Sequence, residues 1–447
     1  MTRLVCGKCL TDSFLQGQFD YQEIDECSYC GEEKGVVELN EIVSMCEEAL
    51  HAAFQYVQQP VAVVLYNRDP IGMPLQDVLS LMLGCSEDLV NDLASALLEE
   101  WSDWDDDDPS FIEQTYATSE MTSEWAKMER SLHDEARFVN PEAVRILERV
   151  FGPIEELHTT DNSSPILTIG PGLPIHSFQR ARVFSNDGDV EQAFKHPERS
   201  LGPPPGGIGK AGRMNAKGVS VFYGATNDLT AIAEVRSPVG SVVVTAAFNV
   251  IRPLRLLNLA ALSEIRPDRA FSYFDPVRVE QAQRCTFLME LQKKLLMPVM
   301  PELEDRGYLI TQVIADFLST HTSLRLDGIY FPSIQVSNHE GVTPGYNVIL
   351  FSKACGVLKH ESKYEADQVS LWEHDEDGRY FRPEIWGGKG QEHPHRRRGD
   401  WFTHQGMPPS YEPTLELDRN RISIHRVKGV VYDVEHSDVS YYAFEDK

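Results

Sequence analysis

The stretch 211–236, AGRMNAKGVSVFYGATNDLTAIAEVR, decides how the rest of the chain is read. Val219, Val221 and Tyr223 alternate with Ser220 and Phe222, the period-2 pattern of a half-buried strand, opened by Gly218 and closed by Gly224. Such a strand delivers Tyr223 to its C-terminal end. Asn227 then offers a side-chain oxygen to an orphan backbone N–H, and Asp228 suits the positive end of a helix dipole, so a helix is predicted from there to about Arg236. In that helix Leu229, Ile232 and Val235 are expected to face a core, and Glu234 to share the other side with Thr230 and Ala231, which are too small to cover it. A cation (Arg213), a phenol (Tyr223) and a carboxylate (Glu234) would then converge at one strand-to-helix edge. Taken singly, each has a plainer reading as a solvated charge, a core ring and a helix-surface acid.

Together, G-R-M-N, V-F-Y-G-A and T-A-I-A-E-V-R resemble the core of the RES domain family, named for its Arg, Glu and Ser, and Ser333 in DGIYFPSIQVSN stands where the third residue is expected. The resemblance implies an α+β fold with a mixed sheet, related to ADP-ribosyltransferases, and an enzyme that consumes NAD+ as substrate. Breaking the bond from ribose to nicotinamide passes through an oxocarbenium-like state, which calls for a nearby negative charge and a clamp on the diphosphate. Glu234 suits the first role. Arg213 suits the second, because its planar fork bonds phosphate oxygens in pairs, and Asn215 could add an amide hydrogen bond. Tyr223 offers a ring and a hydroxyl to the nicotinamide or ribose, and Ser333 a hydroxyl but no triad-like context for a nucleophile. Arg180 and Arg182, in QRAR, are further candidates for phosphate contact, and His176 is another. No G-x-G-x-x-G follows a strand, which separates this reading from a Rossmann dehydrogenase.

The resemblance implies water or inorganic phosphate as the acceptor, in a growth-arresting toxin or defence effector paired with an antitoxin. It implies as an alternative a protein side chain, in a protein ADP-ribosyltransferase. A reading from another class is a non-catalytic zinc-ribbon interaction protein on a degenerate RES fold, and the joint presence of Arg213, Tyr223, Glu234 and Ser333 argues against it. An antitoxin, a protein target or further copies of the chain are the macromolecular partners expected.

The net charge of −28 is unevenly placed: residues 1–150 hold 31 acidic against 9 basic residues, or −22, leaving −6 for the remainder. An acidic front repels phosphate backbones and argues against nucleic acid, while the nearly neutral remainder could hold an anionic ligand locally. No run approaches a membrane span, and MTRLVCGKC lacks an apolar signal core, so a soluble, unexported, cytoplasmic protein is expected.

Residues 1–37 read as a zinc ribbon. The pairs Cys6/Cys9 and Cys27/Cys30 are C-x-x-C turns that can each supply half of a tetrahedral site, and four thiolates leave no open position for catalysis. Cys46, Cys85, Cys285 and Cys355 are scattered and read as small core residues. From 38 to 154 the apolar spacing is helical in EIVSMCEEALHAAFQYV, LQDVLSLMLG, DLVNDLASALLEEW and EWAKMERSLHDEARF. The acidic run of Asp103 and Asp105–Asp108 lacks the Gly and distal Glu of an EF-hand and reads as a surface loop. This front resembles the N-terminal region named for HEPN ribonucleases, but Arg130 and His133 are too close together for that signature, so no nuclease activity is carried over. The acidic front is expected to regulate the catalytic module. Residues 155–447 read as the RES domain with a C-terminal extension. Strands are expected in HSFQRARVF, GSVVVTAAFNVIRPLRLLNL and YNVILFSK, helices in VRVEQAQRCTFLMELQKKLL and GYLITQVIADFLSTH, a linker in PPPGG and a solvated basic loop at His393–Arg398.

Overall fold

In a computed structural model of the chain, the stretch 211–236 crosses the middle of an eight-stranded mixed sheet. The structure describes residues 3–19, 23–59, 71–101, 109–113, 120–267, 271–297, 304–335, 345–358, 366–376, 378–387, 412–431, 434 and 436–440. The acidic run at 103–108 and the basic loop at 393–398 lie outside them. The chain divides into two units, 1–163 with 262–293, and 164–261 with 294–447. The segment 262–293, read from sequence as part of the C-terminal module, thus belongs to the first.

In the second unit the strand order is Leu415–Arg426, Val242–Val250, Ser177–Phe184, Phe222–Ala225, Tyr346–Leu350, Gly328–Pro332, Leu254–Asn258, Ile166–Ile169. Only Leu254–Asn258 and Gly328–Pro332 run parallel among these neighbours. Val242–Val250 reads as a near-continuous apolar run because both of its faces are covered.

The strand predicted over 218–224 is Phe222–Ala225, shorter and shifted, with Gly224 inside it. Phe222 faces the core, 0% exposed and edge-on to Phe248 with ring centroids 5.1 Å apart. Val219, Val221 and Tyr223, of opposite parity, therefore turn to the other face and line a cleft. Helix Asp228–Glu234 begins as predicted, with Asn227 Oδ1 accepting from the Thr230 N–H at 2.8 Å. Its faces depart from the expectation, with Ile232 and Val235 only half-buried. Leu229 is 66% exposed, whereas Thr230 and Ala231 are 1% and 4% exposed. Small side chains let the helix approach the sheet so closely that a Cβ on Gly345 would meet Thr230 Oγ1 at 1.8 Å. Glu234 shares this inward face and is brought to the sheet with them.

In the first unit the cysteine-rich segment forms a three-stranded sheet, Leu4–Cys6, Glu33–Glu38 and Ile24–Glu26, antiparallel throughout. Val5, Leu10, Leu15 and Phe19 join one core with helices Leu39–Ala53, Leu75–Leu83 and Glu87–Glu100. The first of these helices stops earlier than predicted. Phe54–Val57 is a strand, paired with Ser110–Glu113, which also pairs with Met73–Pro74. Helix Pro141–Phe151, not singled out from the sequence, is capped by Asn140 Oδ1 on the Ala143 N–H at 3.0 Å. Among the described residues no helix is long and apolar enough to cross a membrane.

The four sulfurs of Cys6, Cys9, Cys27 and Cys30 all lie within 4.8 Å of one another. The separations Cys6–Cys30, Cys9–Cys27 and Cys6–Cys9 are 3.5, 3.7 and 3.8 Å. A tetrahedron with metal–sulfur bonds of about 2.3 Å has edges of about 3.8 Å, so the thiols fit a Zn2+ ion bound by four thiolates. The expected outcome of metal analysis is one zinc per chain. Cys27→Ser should abolish that stoichiometry and cost the first unit more than about 3 kcal/mol in denaturant or thermal unfolding, as should chelation.

Candidate active site

The site begins with a loop that cannot be built without glycine. The Gly212 N–H bonds the Asn215 carbonyl at 3.0 Å, and a Cβ on Gly212 would lie 2.7 Å from both Asn215 Oδ1 and Tyr223 Oη. Asn215 is buried and works inward. Its Nδ2 points at the carbonyls of Lys210, Val219 and Ala216 at 2.9, 3.1 and 3.2 Å, while Oδ1 accepts from the Tyr223 hydroxyl at 2.8 Å. The amide that sequence reading offered to a phosphate is thus engaged in holding the loop. The Tyr223 oxygen also accepts from the Met214 N–H at 3.2 Å, and burial pushes its phenol up to about 12, so it is a neutral hydrogen-bonding group at physiological pH. Helix Glu304–Thr320 pins the loop from outside, through Gln312 Nε2 to the Gly212 carbonyl at 2.8 Å and the Thr311 hydroxyl to the Arg213 carbonyl.

Arg213 leaves this loop and donates to the carbonyls of Leu295 and Met297 at 3.2 and 2.5 Å. These lie at the end of helix Pro276–Leu296, where carbonyls lack intrahelical donors and the dipole is negative. The guanidinium is thereby fixed beside the cleft that Arg213 lines.

On the other side, sheet register assembles the acidic group. Ala225 lies opposite Asn347, and Asn347 opposite Phe331, two residues before Ser333. Glu234 Oε1 accepts from Ser333 Oγ and from Asn347 Nδ2, both at 2.7 Å. Its other oxygen has no hydrogen-bond partner among the described residues. Glu234, Asn347, Arg213, Arg180 and Tyr223 line one cleft of about 460 Å³, with the rings of Tyr308 and Phe331, a volume within the usual range for a small-molecule site. Ser333 reaches this cleft through Glu234.

Arg180 and Arg182 stand on strand Ser177–Phe184 opposite Ala246 and Val244. Arg180 donates to the Leu201 and Tyr223 carbonyls at 3.1 and 2.8 Å and lies over the Phe222 ring, 5.6 Å from its centroid. Burial draws its pKa down to about 10, which leaves it charged at neutral pH. Arg182 donates to the Ser200 carbonyl. Both line a second cleft of about 480 Å³ with Arg199 and Lys210, and it shares Arg180, Ala211, Gly212 and Tyr223 with the first. His176 is exposed, bonded to the Leu173 carbonyl, and lines neither. Sequence reading missed Asn347, Tyr308, Arg199 and Lys210. For Asn347 there was a signal, an amide in the otherwise apolar strand sequence YNVIL.

Residues 179–372 match the family model for the RES domain, and residues 20–144 match that for HEPN/RES N-terminal domain 1. No curated protein and no solved structure matches the chain. Every residue that lines the two clefts falls within the RES match, and RES domains are generally NAD-related and toxin-like. With Arg213 and Glu234 lining one cleft in a mixed sheet and Ser333 holding Glu234, the chain carries a RES domain over 179–372 behind a HEPN/RES N-terminal domain 1 over 20–144.

Proposed function

We propose that this protein cleaves the nicotinamide–ribose bond of NAD+, with water or inorganic phosphate as the acceptor. The observation that carries the reading is the Glu234 carboxylate, held by Ser333 and Asn347 at 2.7 Å each and facing a cleft that also presents Arg213, Arg180 and Tyr223. In the reaction the bond from ribose C1′ to the pyridinium nitrogen breaks, its electron pair neutralises the ring, and positive charge grows on the ribose. A carboxylate already oriented by two donors meets that charge without rearranging. An oxygen of the acceptor then bonds C1′ and gives up its proton. The arginines supply positive charge for the diphosphate, and Tyr223 supplies a neutral ring beside them, its hydroxyl engaged by Asn215 and the Met214 N–H. A growth-arresting toxin or defence effector is the biological role that fits a depleter of NAD+. A protein ADP-ribosyltransferase would use the same cleft with a side chain as acceptor, and the product separates the two.

Incubation with NAD+ is expected to release free nicotinamide. ADP-ribose as co-product identifies water as the acceptor, ADP-ribose-1″-phosphate identifies phosphate, and a modified protein identifies the transferase reading. Glu234→Gln should lower kcat by about 10² to 10³ while KM and the melting temperature stay close to wild type, because the lost contact matters most in the transition state. Arg213→Ala should raise KM as well as lower kcat, and should also lower the melting temperature, since it removes the donors to the Leu295 and Met297 carbonyls.

A further inference from the structure

The second cleft carries more positive charge than the first needs. Arg180, Arg182, Arg199 and Lys210 all line it, and among the described residues its lining includes no Asp or Glu. Arg199 and Lys210 are exposed, and neither makes an ion pair or a side-chain hydrogen bond among the described residues. The other two cations have a different part. Arg180 and Arg182 donate to the carbonyls of Leu201 and Ser200, at the C-terminal end of the short helix Pro197–Leu201, so the partial negative charge of that helix end is masked where it would oppose an anion.

The wall opposite is built rather than loose. The segment GPPPGGIGK, 202–210, whose PPPGG was read from sequence as a linker, ends in Lys210 and is tied to the chain that follows. The Gly207 N–H bonds the Gly218 carbonyl at 2.8 Å, the Gly218 N–H bonds the Gly209 carbonyl at 2.9 Å, and Ser220 Oγ bonds the Pro204 carbonyl at 2.6 Å. Gly207 and Gly218 both have a φ of +89°, a conformation that glycine adopts without strain. In a chain whose net charge is −28, four cations gathered around one cavity with no acidic side chain in its lining among the described residues mark a place for an anion.

We propose that this second cleft is a phosphate-binding subsite in which Arg199 and Lys210 are the ligand-contacting cations. Which molecule brings the phosphate rests on the reading of the first cleft as an NAD+-cleaving site: the diphosphate of the dinucleotide, or an inorganic phosphate acceptor, entering past the wall of Gly212 and Tyr223 that the two clefts share.

Calorimetric titration of the full chain with inorganic pyrophosphate tests the subsite directly, and steady-state kinetics with NAD+, with and without inorganic phosphate, identifies the source. Arg199→Glu and Lys210→Glu are each expected to weaken pyrophosphate binding by about 10-fold or more, an effect that shrinks as salt is raised, with the melting temperature unchanged because both side chains are exposed. A raised KM for NAD+ at near-constant kcat assigns the subsite to the dinucleotide. A raised apparent KM for phosphate, with that for NAD+ unchanged, assigns it to the acceptor. Pyrophosphate that fails to bind the wild type, or binds the double variant equally well, overturns the subsite. Charge-dependent pyrophosphate binding in a protein that leaves NAD+ intact overturns the proposed reaction alone.

Discussion

The pairing of the four-residue strand Phe222–Ala225 with Tyr346–Leu350 is the contact on which the site depends. It sets Ala225 opposite Asn347 and Tyr223 opposite Ile349, and Tyr346–Leu350 in turn sets Asn347 opposite Phe331. The loop before the first strand carries Arg213, the helix after it carries Glu234, and Ser333 follows the third strand. Three parts of the chain, two of them near each other in sequence and the third far downstream, are thereby brought to one edge. The pairing is buried on its far side by Phe222, Phe248 and Val348 in one core, so hydrophobic burial fixes which parity of residue faces the cleft.

Charge is arranged at two scales. The first 150 residues are strongly acidic, yet both clefts lie in the second unit and hold their basic groups on local scaffolding. Arg213, Arg180 and Arg182 all donate to backbone carbonyls at or near helix ends. Such bonds orient a guanidinium without cancelling its charge, since a carbonyl carries only a partial one. An aspartate in the same place would have fixed the arginine equally well and removed its use for phosphate.

How much of this was legible depended on whether the signal was local. The Asn227 cap, the two C-x-x-C turns and the long apolar run of Val242–Val250 are set by neighbours in sequence, and the structure contains all three. The inward face of helix Asp228–Glu234 was not legible. Amphipathicity favours burying Leu229, but the sheet selects Thr230 and Ala231 because the backbone at Gly345 comes too close for anything larger. Asn215 was misread for a related reason: its type suits a phosphate, but the carbonyls that saturate its amide become neighbours only when the loop closes. Asn347 lies more than a hundred residues from Glu234, and only strand register places them together.

Helix Asp228–Glu234 is only seven residues long, and Glu234 at its end is exposed, a position where a glutamate ordinarily samples several rotamers. Two donors remove that freedom, and they come from different places in the sheet: Ser333 just beyond one strand and Asn347 within its neighbour. Both address the same oxygen, Oε1. Two bonds converging on one atom fix the carboxylate's direction while leaving Oε2 for whatever enters the cleft. Because Asn347 alternates with Tyr346 and Val348 across the sheet, a slip of one residue in Tyr346–Leu350 would send the amide to the opposite face and put an apolar side chain in its place. The orientation of the carboxylate is therefore a property of strand register, and the same apolar residues that hold the register, Val348 and Leu350 in the core, hold Glu234 at the cleft.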